Sequence, residues 1–136
     1  MLKRIFYTIL KYFFTILLIT TALGKLLDNR GFAHVIDSYQ FHIPQEFLLP
    51  LALFISFFEL SLGVSVFQEK RRKFSATFLI LVHTGYSALA LVTLTRGIPL
   101  TNCGCFGVFW ARPMSWMTFA EDVILTLLSI IFYFLL

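Results

Sequence analysis

Residues 47–67, FLLPLALFISFFELSLGVSVF, form an apolar run with one ionisable side chain, Glu59. A helix needs roughly 20 mostly apolar residues to cross roughly 30 Å of hydrocarbon. Comparable runs occupy residues 5–27, 74–95 and 116–136. They lack the alternation of barrel strands, so helices are the structure that satisfies their backbone in lipid. The sequence therefore predicts an all-α, polytopic membrane protein with a four-helix transmembrane bundle.

The composition supports a membrane protein. The chain is 59% hydrophobic and 13% charged and contains 17 Phe, whereas a soluble domain is about half apolar and about a quarter charged. A chain this short cannot bury such an excess in one small core. No linker or low-complexity tail divides it, which predicts a single transmembrane domain over residues 1–136. The net charge is +4, but without a basic stripe carrying polar base-readers we expect lipid and no nucleic acid as partner.

Short-loop Lys and Arg residues predict the orientation of the bundle. Lys3 and Arg4 precede the first run, and residues 70–73 read KRRK between the second and third. Because cytoplasmic loops are enriched in these residues, both termini are predicted to be cytoplasmic, in a multi-pass protein of the inner (plasma) membrane. The first run is long for a signal peptide and lacks a convincing cleavage site, so we expect it to remain as a span.

The two longer loops, residues 28–46 and 96–115, then face the periplasm. The first carries apolar residues at the spacing of one helix face: Phe32, Val35, Ile36 and Tyr39. This spacing predicts a short amphipathic helix, capped by Asp28 or Asn29, that lies on the membrane surface or covers the bundle.

The second outer loop contains the only two cysteines, Cys103 and Cys105, in the stretch TNCGCFG at residues 101–107. Gly104 lets the backbone turn, so that the two sulfur atoms can approach disulfide distance. A ring this small is strained and removes little chain entropy, which favours an exchangeable redox pair over a structural staple. The predicted periplasmic position is also the compartment in which disulfides form.

Two alternatives for the cysteines stay open at this point. The pair could serve only as a structural bridge or packing element. It could also bind a metal in a Cys2His2 set with His34 and His42 of the first outer loop, although those histidines do not have the spacing of a tight zinc site. Arg96 and Arg112 flank the cysteine loop and are expected to supply positive charge that favours a thiolate.

Ionisable residues inside spans indicate function by default. Glu59 and His83 lie near the middle of their spans, so we expect them to pair with each other, as a proton relay, as a site for a quinone head group, or as a packing contact. Lys25 is expected to pair with Glu121 or Asp122 at the outer end. Lys11 is expected to reach toward the cytoplasm.

Three short stretches resemble the methylamine utilisation protein MauE family, which is similar to the wider DoxX-like group of four-helix membrane proteins. They are residues 21–25 (TALGK), residues 58–60 (FEL) with Gly63, and residues 102–107 (NCGCFG). The resemblance covers nearly the whole chain, and the Cys-Gly-Cys-Phe-Gly element is its most specific part.

The resemblance implies a membrane factor for the maturation of a periplasmic protein of the methylamine dehydrogenase type, acting beside a thioredoxin-like partner. From it, Cys103 and Cys105 are expected to form the redox pair. The DoxX-like relatives imply a quinone as the possible cofactor, at Glu59 and His83. A non-enzymatic assembly factor and a quinone-binding subunit of a sulfur oxidoreductase are the alternative functions.

Overall fold

Each apolar run forms one long helix in the computed structural model, which describes residues 1–136 throughout. The long helices are α1 (Leu2–Leu27), α3 (Gln45–Phe67), α4 (Arg72–Thr95) and α5 (Trp116–Leu135). A shorter helix, α2 (Asn29–Ser38), follows α1, and a single 3-10 turn (Glu69–Arg71) joins α3 to α4. All four long helices are long and apolar enough to cross a membrane. The predicted four-helix membrane fold is confirmed.

The outer surface of the bundle is apolar, as lipid contact requires. Only 31 of the 136 residues are buried inside the protein. Large side chains point outward from several helices, including Phe54 (66% exposed), Leu81 (59%) and Ile124 (55%). A soluble monomer rarely leaves so much contiguous apolar surface exposed. The exposed faces of these helices are therefore suited to hydrocarbon.

The core of the bundle lies toward the end that holds the chain termini. Phe14, Leu79 and Phe132 are fully buried there and bring α1, α4 and α5 together. Tyr7 stacks on Phe132 with ring centroids 5.3 Å apart. Helix α1 also packs along α3, so every long helix contributes to the bundle.

The termini and the basic turn lie at the same end, as the charge pattern predicted. Lys11 forms an ion pair with Glu69, at the start of the α3–α4 turn. The hydroxyl of Tyr7 donates to the same carboxylate at 3.3 Å. Lys11 thus reaches toward this end, as expected, and finds a carboxylate there. The cytoplasmic placement of this end stays a prediction.

Helix α2 covers the opposite end of the bundle. The Asp28 side chain accepts a hydrogen bond from the Gly31 backbone N–H at 2.8 Å, which caps the helix as predicted. Its apolar face buries Phe32 and Ala33 against Leu48 and Ala52 of α3. The predicted amphipathic helix is therefore confirmed, and it forms a cover over the helix ends.

Helices α1 and α3 approach closely at Gly63. A Cβ atom at this position would lie 3.1 Å from side-chain atoms of Leu18 and Ile19. A larger residue must push the two helices apart, whereas Gly85 on α4 has no atom within 4 Å of a built Cβ. The small residue at position 63 is therefore a packing requirement.

We predict that Gly63→Leu destabilises the protein by about 1–3 kcal/mol through overpacking. Thermal unfolding of the purified protein in detergent measures the effect. Gly85→Leu is the matched control and should unfold at or above the temperature of the unmodified protein. Equal destabilisation by both substitutions would contradict the assigned packing of α1 on α3.

Candidate redox site

The cysteine loop is held closed by backbone hydrogen bonds between its two arms. The N–H of Cys103 donates to the carbonyl of Arg112 at 2.7 Å, and the N–H of Met114 donates to the carbonyl of Leu100 at 3.0 Å. At the tip, the N–H of Gly107 donates to the carbonyl of Gly104 at 3.1 Å. The loop is therefore an ordered turn that presents its cysteines in a fixed conformation.

Asn102 braces this turn from its side chain. Its Oδ1 atom accepts from the N–H of Gly104 at 2.9 Å, and its Nδ2 atom donates to the carbonyl of Gly107 at 3.0 Å. The arrangement is an Asx turn, in which the side chain replaces a backbone partner. Gly104 and Gly107 both adopt positive φ, at 77° and 73°, a region that favours glycine.

The loop rests directly on the end of α1. A Cβ atom on Gly24 would lie 2.4 Å from the carbonyl oxygen of Phe106, and one on Gly107 would lie 2.3 Å from the carbonyl oxygen of Gly24. Backbone approaches this close are available only to glycine. On its other side, Gly104 sits against the side chains of Phe32 and Val35 of α2. Two helices thus fix the position of the turn.

Cys103 and Cys105 are free thiols whose sulfur atoms lie 2.7 Å apart. Since an S–S bond is about 2.05 Å long, only a small movement separates the dithiol from a disulfide. Cys103 is 6% exposed, and Cys105 is partly exposed. The predicted approach of the two cysteines is therefore present in the structure.

The two thiols differ in acidity. The hydrogen bond from Cys105 and the charge of Arg112 lower the pKa of Cys103 to about 7, against the opposing effect of burial. The hydrogen bond to Cys103 and burial both raise the pKa of Cys105. Near neutral pH a substantial fraction of Cys103 is therefore a thiolate, which accepts a hydrogen bond from the Cys105 thiol.

Only one of the two flanking arginines acts on the thiols. Arg112 lies close enough to lower the pKa of Cys103, and its guanidinium binds Glu121 at 2.7 and 2.8 Å. Arg96 instead donates to the backbone carbonyls of Tyr39 and Gln40, at 3.1 and 3.0 Å. The expectation that Arg96 supplies charge to the cysteines is wrong, because the end of α2 occupies its guanidinium.

The outer-loop histidines do not form a metal site with the cysteines. His34 and His42 are exposed on and after α2, whereas Cys103 is buried. No group of three or more His, Cys, Asp or Glu side chains is placed to hold a metal ion. The Cys2His2 alternative therefore lacks a ligand set.

A cavity of about 490 Å³ extends from the cysteine loop into the bundle. Both cysteines line it, together with residues of α2 and of all four long helices. The lining comprises 28 residues, of which 19 are hydrophobic. The main polar residues in its wall are Lys25, Glu59, His83, Tyr86, Arg112, Glu121 and Asp122. The loop thus lies at one end of a largely apolar space.

Glu59 pairs with Lys25, so the expected Glu59–His83 pair is wrong. The Lys25 Nζ and Glu59 Oε2 atoms lie 2.6 Å apart, and both side chains are 2% exposed. Thr21 and Tyr86 also donate to this carboxylate. The same contact corrects the expected pairing of Lys25 with Glu121 or Asp122. Lys25 reaches inward, and Arg112 binds Glu121 instead.

His83 belongs to a separate polar contact. Its Nδ1 atom lies 2.9 Å from the hydroxyl of Ser129 on α5 and 3.0 Å from the carbonyl of Leu79. The ring packs against Phe14, with centroids 5.5 Å apart. His83 lines the cavity but does not contact the Lys25–Glu59 pair.

Sequence comparison agrees with this architecture. The chain matches the family described as methylamine utilisation protein MauE over residues 3–135. The chain belongs to the MauE family. The curated proteins and the solved structures give no match to it. The resemblance inferred from the three short stretches is therefore confirmed. This MauE-family chain is a multi-pass membrane protein, consistent with a membrane component of methylamine utilisation.

The structure adds three residues to the site of this MauE-family protein. Tyr86 contacts the ion pair, Asn102 braces the loop, and the Tyr39 hydroxyl donates to the carbonyl of Cys103 at 2.5 Å. Tyr86 was recognisable as a polar side chain one turn from His83 on α4. Asn102 was recognisable as an Asx-turn residue before Gly104. No sequence signal placed Tyr39 against the distant cysteine loop.

We predict that alkylation of Cys103 rises with pH through a midpoint of about 7. Arg112→Gln removes a charge that stabilises the thiolate. The midpoint should therefore rise, and alkylation at pH 7 should slow, while the rates converge at high pH where both forms are ionised. Iodoacetamide labelling is done with both cysteines present, and fragmentation in mass spectrometry assigns the label to Cys103 or Cys105. Arg30→Gln, at an exposed position of α2, is the control and should leave the midpoint unchanged.

We predict that Gly107→Ala lifts the loop from α1. The added Cβ atom would meet the carbonyl oxygen of Gly24 at 2.3 Å, so the turn must move and the two sulfur atoms lose their contact. Disulfide formation between Cys103 and Cys105 should therefore slow. Counting the free thiols over time under mild oxidation measures its rate. Gly97→Ala is the matched control, since Gly97 also has positive φ but has no atom within 4 Å of a built Cβ. A similar slowing in both variants would contradict the assigned contact between Gly107 and the end of α1.

Proposed function

We propose that this MauE-family protein is a thiol–disulfide redox factor that serves the maturation of a periplasmic protein. The observation that carries the proposal is the pair of adjacent thiols of unequal acidity, at 2.7 Å, on a loop outside the spans. Thiol–disulfide exchange needs one thiolate that attacks or is attacked and a second thiol that resolves the mixed disulfide. Cys103 and Cys105 fit these two roles.

The chemistry at the pair is a two-electron exchange. In the oxidising direction, a client thiolate attacks the Cys103 sulfur of the Cys103–Cys105 disulfide and displaces Cys105, which takes up a proton. A second client thiolate then attacks the mixed disulfide and displaces the Cys103 thiolate. The client gains one disulfide, and the pair ends as two reduced sulfurs. The low pKa of Cys103 makes it a good leaving group in the second step.

The surroundings of the pair support exchange over a purely structural bridge. The three-residue ring spans little chain and would therefore constrain the unfolded state only slightly. The turn is already fixed by Asn102, Gly24 and the Arg112 carbonyl without any S–S bond. Because Cys103 is 6% exposed, we expect the arm that carries Arg112 to move aside when a client approaches.

The family description and the charge pattern together suggest the biological process and the membrane orientation in which the pair acts. MauE-family membership connects the chain with methylamine utilisation. The basic turn at residues 70–73 favours a cytoplasmic position for the end that holds the termini. The cysteine loop then faces the periplasm from the inner membrane, where a thioredoxin-like protein or an immature methylamine dehydrogenase-type client can reach it. We propose this orientation together with the redox function.

We predict that Cys105→Ser accumulates a mixed disulfide with an oxidised periplasmic partner. The Cys103 thiolate attacks the partner's disulfide, and the thiol that would resolve the adduct is missing. Cys103→Ser should abolish the adduct. Acid quenching of intact cells, thiol blocking and non-reducing electrophoresis detect it, and mass spectrometry identifies the partner.

The double variant Cys103→Ser, Cys105→Ser separates redox chemistry from non-enzymatic assembly. Two results together would contradict the proposed function. They are full maturation of the client in cells that carry this variant, and no redox change at either cysteine in the unmodified protein. A cysteine loop that reacts only with thiol reagents confined to the cytoplasm would sink the proposed orientation.

A further inference from the structure

Asp122 is a buried carboxylate that no group of the protein satisfies. It is 9% exposed and lines the cavity beneath the cysteine loop, together with both thiols. Its backbone carbonyl accepts from the Thr126 hydroxyl at 2.9 Å, but its carboxylate oxygens have no hydrogen-bond or ion-pair partner. Because burying an unpaired carboxylate is costly, its presence beside the thiols indicates a functional role.

We propose that Asp122 exchanges a proton with the Cys105 thiol during thiol–disulfide exchange. The inference rests on the proposed function, in which Cys105 attacks the Cys103 sulfur or leaves it. It identifies the group that moves the proton at each of these steps. Asp122 accepts the proton when Cys105 attacks and returns it when Cys105 leaves.

Cys105 cannot resolve a mixed disulfide without losing its proton. The hydrogen bond to Cys103 and burial both raise the pKa of the Cys105 thiol in the reduced pair. In a mixed disulfide the Cys103 sulfur is bonded to the client, so the first cause is lost but burial remains. Little of the reactive thiolate would then form by itself near neutral pH. A neighbouring base must therefore take the proton.

The position of Asp122 on α5 suits this role. It lies less than two turns after α5 begins at Trp116, and the cysteine loop joins the helix at this end. Its charge acts on both thiols. No direct hydrogen bond joins the carboxylate to a thiol, so the proton crosses through a water molecule. The cavity of about 490 Å³ has room for one.

The other titratable groups of the cavity wall are already engaged or lie farther from the loop. They are Lys25, Tyr39, Glu59, His83, Tyr86, Arg112 and Glu121. Lys25 and Tyr86 both donate to the Glu59 carboxylate, so these three groups satisfy one another. The Tyr39 hydroxyl donates to the carbonyl of Cys103.

Glu121 and His83 are excluded by their contacts and position. Arg112 donates to both carboxylate oxygens of Glu121, at 2.8 and 2.7 Å. His83 lies more than three turns before α4 ends at Thr95, and its ring packs against Phe14 in the core. Asp122 is therefore the unengaged base next to the thiols.

The proton transfer balances in both directions of exchange. In the resolving direction, the Cys105 thiol gives its proton to the Asp122 carboxylate. The resulting thiolate forms an S–S bond with Cys103, and the client sulfur leaves with the electron pair of the bond that breaks. In the oxidising direction, a client thiolate attacks Cys103 and breaks the Cys103–Cys105 bond. Cys105 leaves as a thiolate and takes its proton from the protonated Asp122.

Reaction of the reduced, purified full-length protein with dithiodipyridine in detergent measures the two steps separately. This neutral disulfide forms a mixed disulfide with Cys103 and releases one thiopyridone. Attack by Cys105 then releases a second thiopyridone and closes the Cys103–Cys105 disulfide. Stopped-flow absorbance follows both phases, and the second phase is independent of the reagent concentration.

We expect Asp122→Asn to slow the second phase by about 100-fold near neutral pH, the scale of general-base catalysis. The slowing should shrink as the pH rises, because hydroxide can then take the proton. The first phase should not slow, since the charge of Asp122 opposes ionisation of Cys103. Glu46→Gln is the matched control. It removes an exposed carboxylate from the first turn of α3 and should leave both phases unchanged.

The direction of the effect separates proton transfer from other roles of the carboxylate. The charge of Asp122 also opposes ionisation of Cys105, so an electrostatic role alone predicts a faster second phase in Asp122→Asn. A purely structural role predicts the same slowing at every pH, both in Asp122→Asn and in Asp122→Glu. Either result would overturn the proposal. We expect Asp122→Glu, which keeps a carboxylate, to restore much of the rate.

The pH profile of the unmodified protein provides a second measurement that does not depend on the folding of a variant. We expect the rate of the second phase to level off through the neutral range, once the Asp122 carboxylate is ionised. A rate that rises about tenfold with each pH unit would show that Cys105 loses its proton without help from a carboxylate. That result would overturn the proposal.

The same experiment distinguishes this inference from the proposed function. If the unmodified protein closes the Cys103–Cys105 disulfide at a rate that Asp122→Asn leaves unchanged, the inference is wrong and the proposed function stands. If thiopyridone is released without any internal disulfide in the unmodified protein, both are contradicted.

Discussion

The ion pair between Lys25 and Glu59 is the contact on which the rest of the interior depends. Its atoms lie 2.6 Å apart, and both side chains are 2% exposed, so neither charge can turn to water. Removing one partner of a buried pair leaves an uncompensated charge, at a cost of about 3–5 kcal/mol. The pair therefore fixes the register of α1 against α3. It also forms the polar part of the cavity wall, directly below the loop that carries the thiols.

The helices were predictable from the sequence because lipid imposes a simple requirement of length and apolar character. The partner of Glu59 was not predictable, because depth in the membrane does not fix the rotation of a helix. His83 and Tyr86 lie one turn apart on α4, yet the longer tyrosine side chain reaches Glu59, whereas His83 turns to Ser129 on α5. Lys25, at the end of its span, was expected to stay near the surface. Its flexible stem instead carries the ammonium inward.

The candidate site, like the helices, was predictable from the sequence only in part. The Cys-Gly-Cys spacing predicted that the two cysteines approach each other and that the backbone turns at Gly104. It did not reveal which thiol is the more acidic, because that difference arises from contacts across the loop. Arg96 and Arg112 flank the cysteines in sequence, but only the fold shows that Arg96 is engaged by the carbonyls of Tyr39 and Gln40. The charge that acts on Cys103 therefore comes from one side of the loop.

The thiols and the ion pair are mechanically connected through adjacent residues of α1. The backbone of Gly107 packs directly against that of Gly24, and the next residue, Lys25, carries the buried cation. Loops are ordinarily the mobile parts of a fold, but this one is held against a helix whose own position is set by the ion pair. A shift of this turn of α1 would displace the backbone on which Gly107 rests, and with it the contact between the two sulfur atoms. The geometry of the thiol pair therefore depends on the same turn of α1 that carries the buried cation.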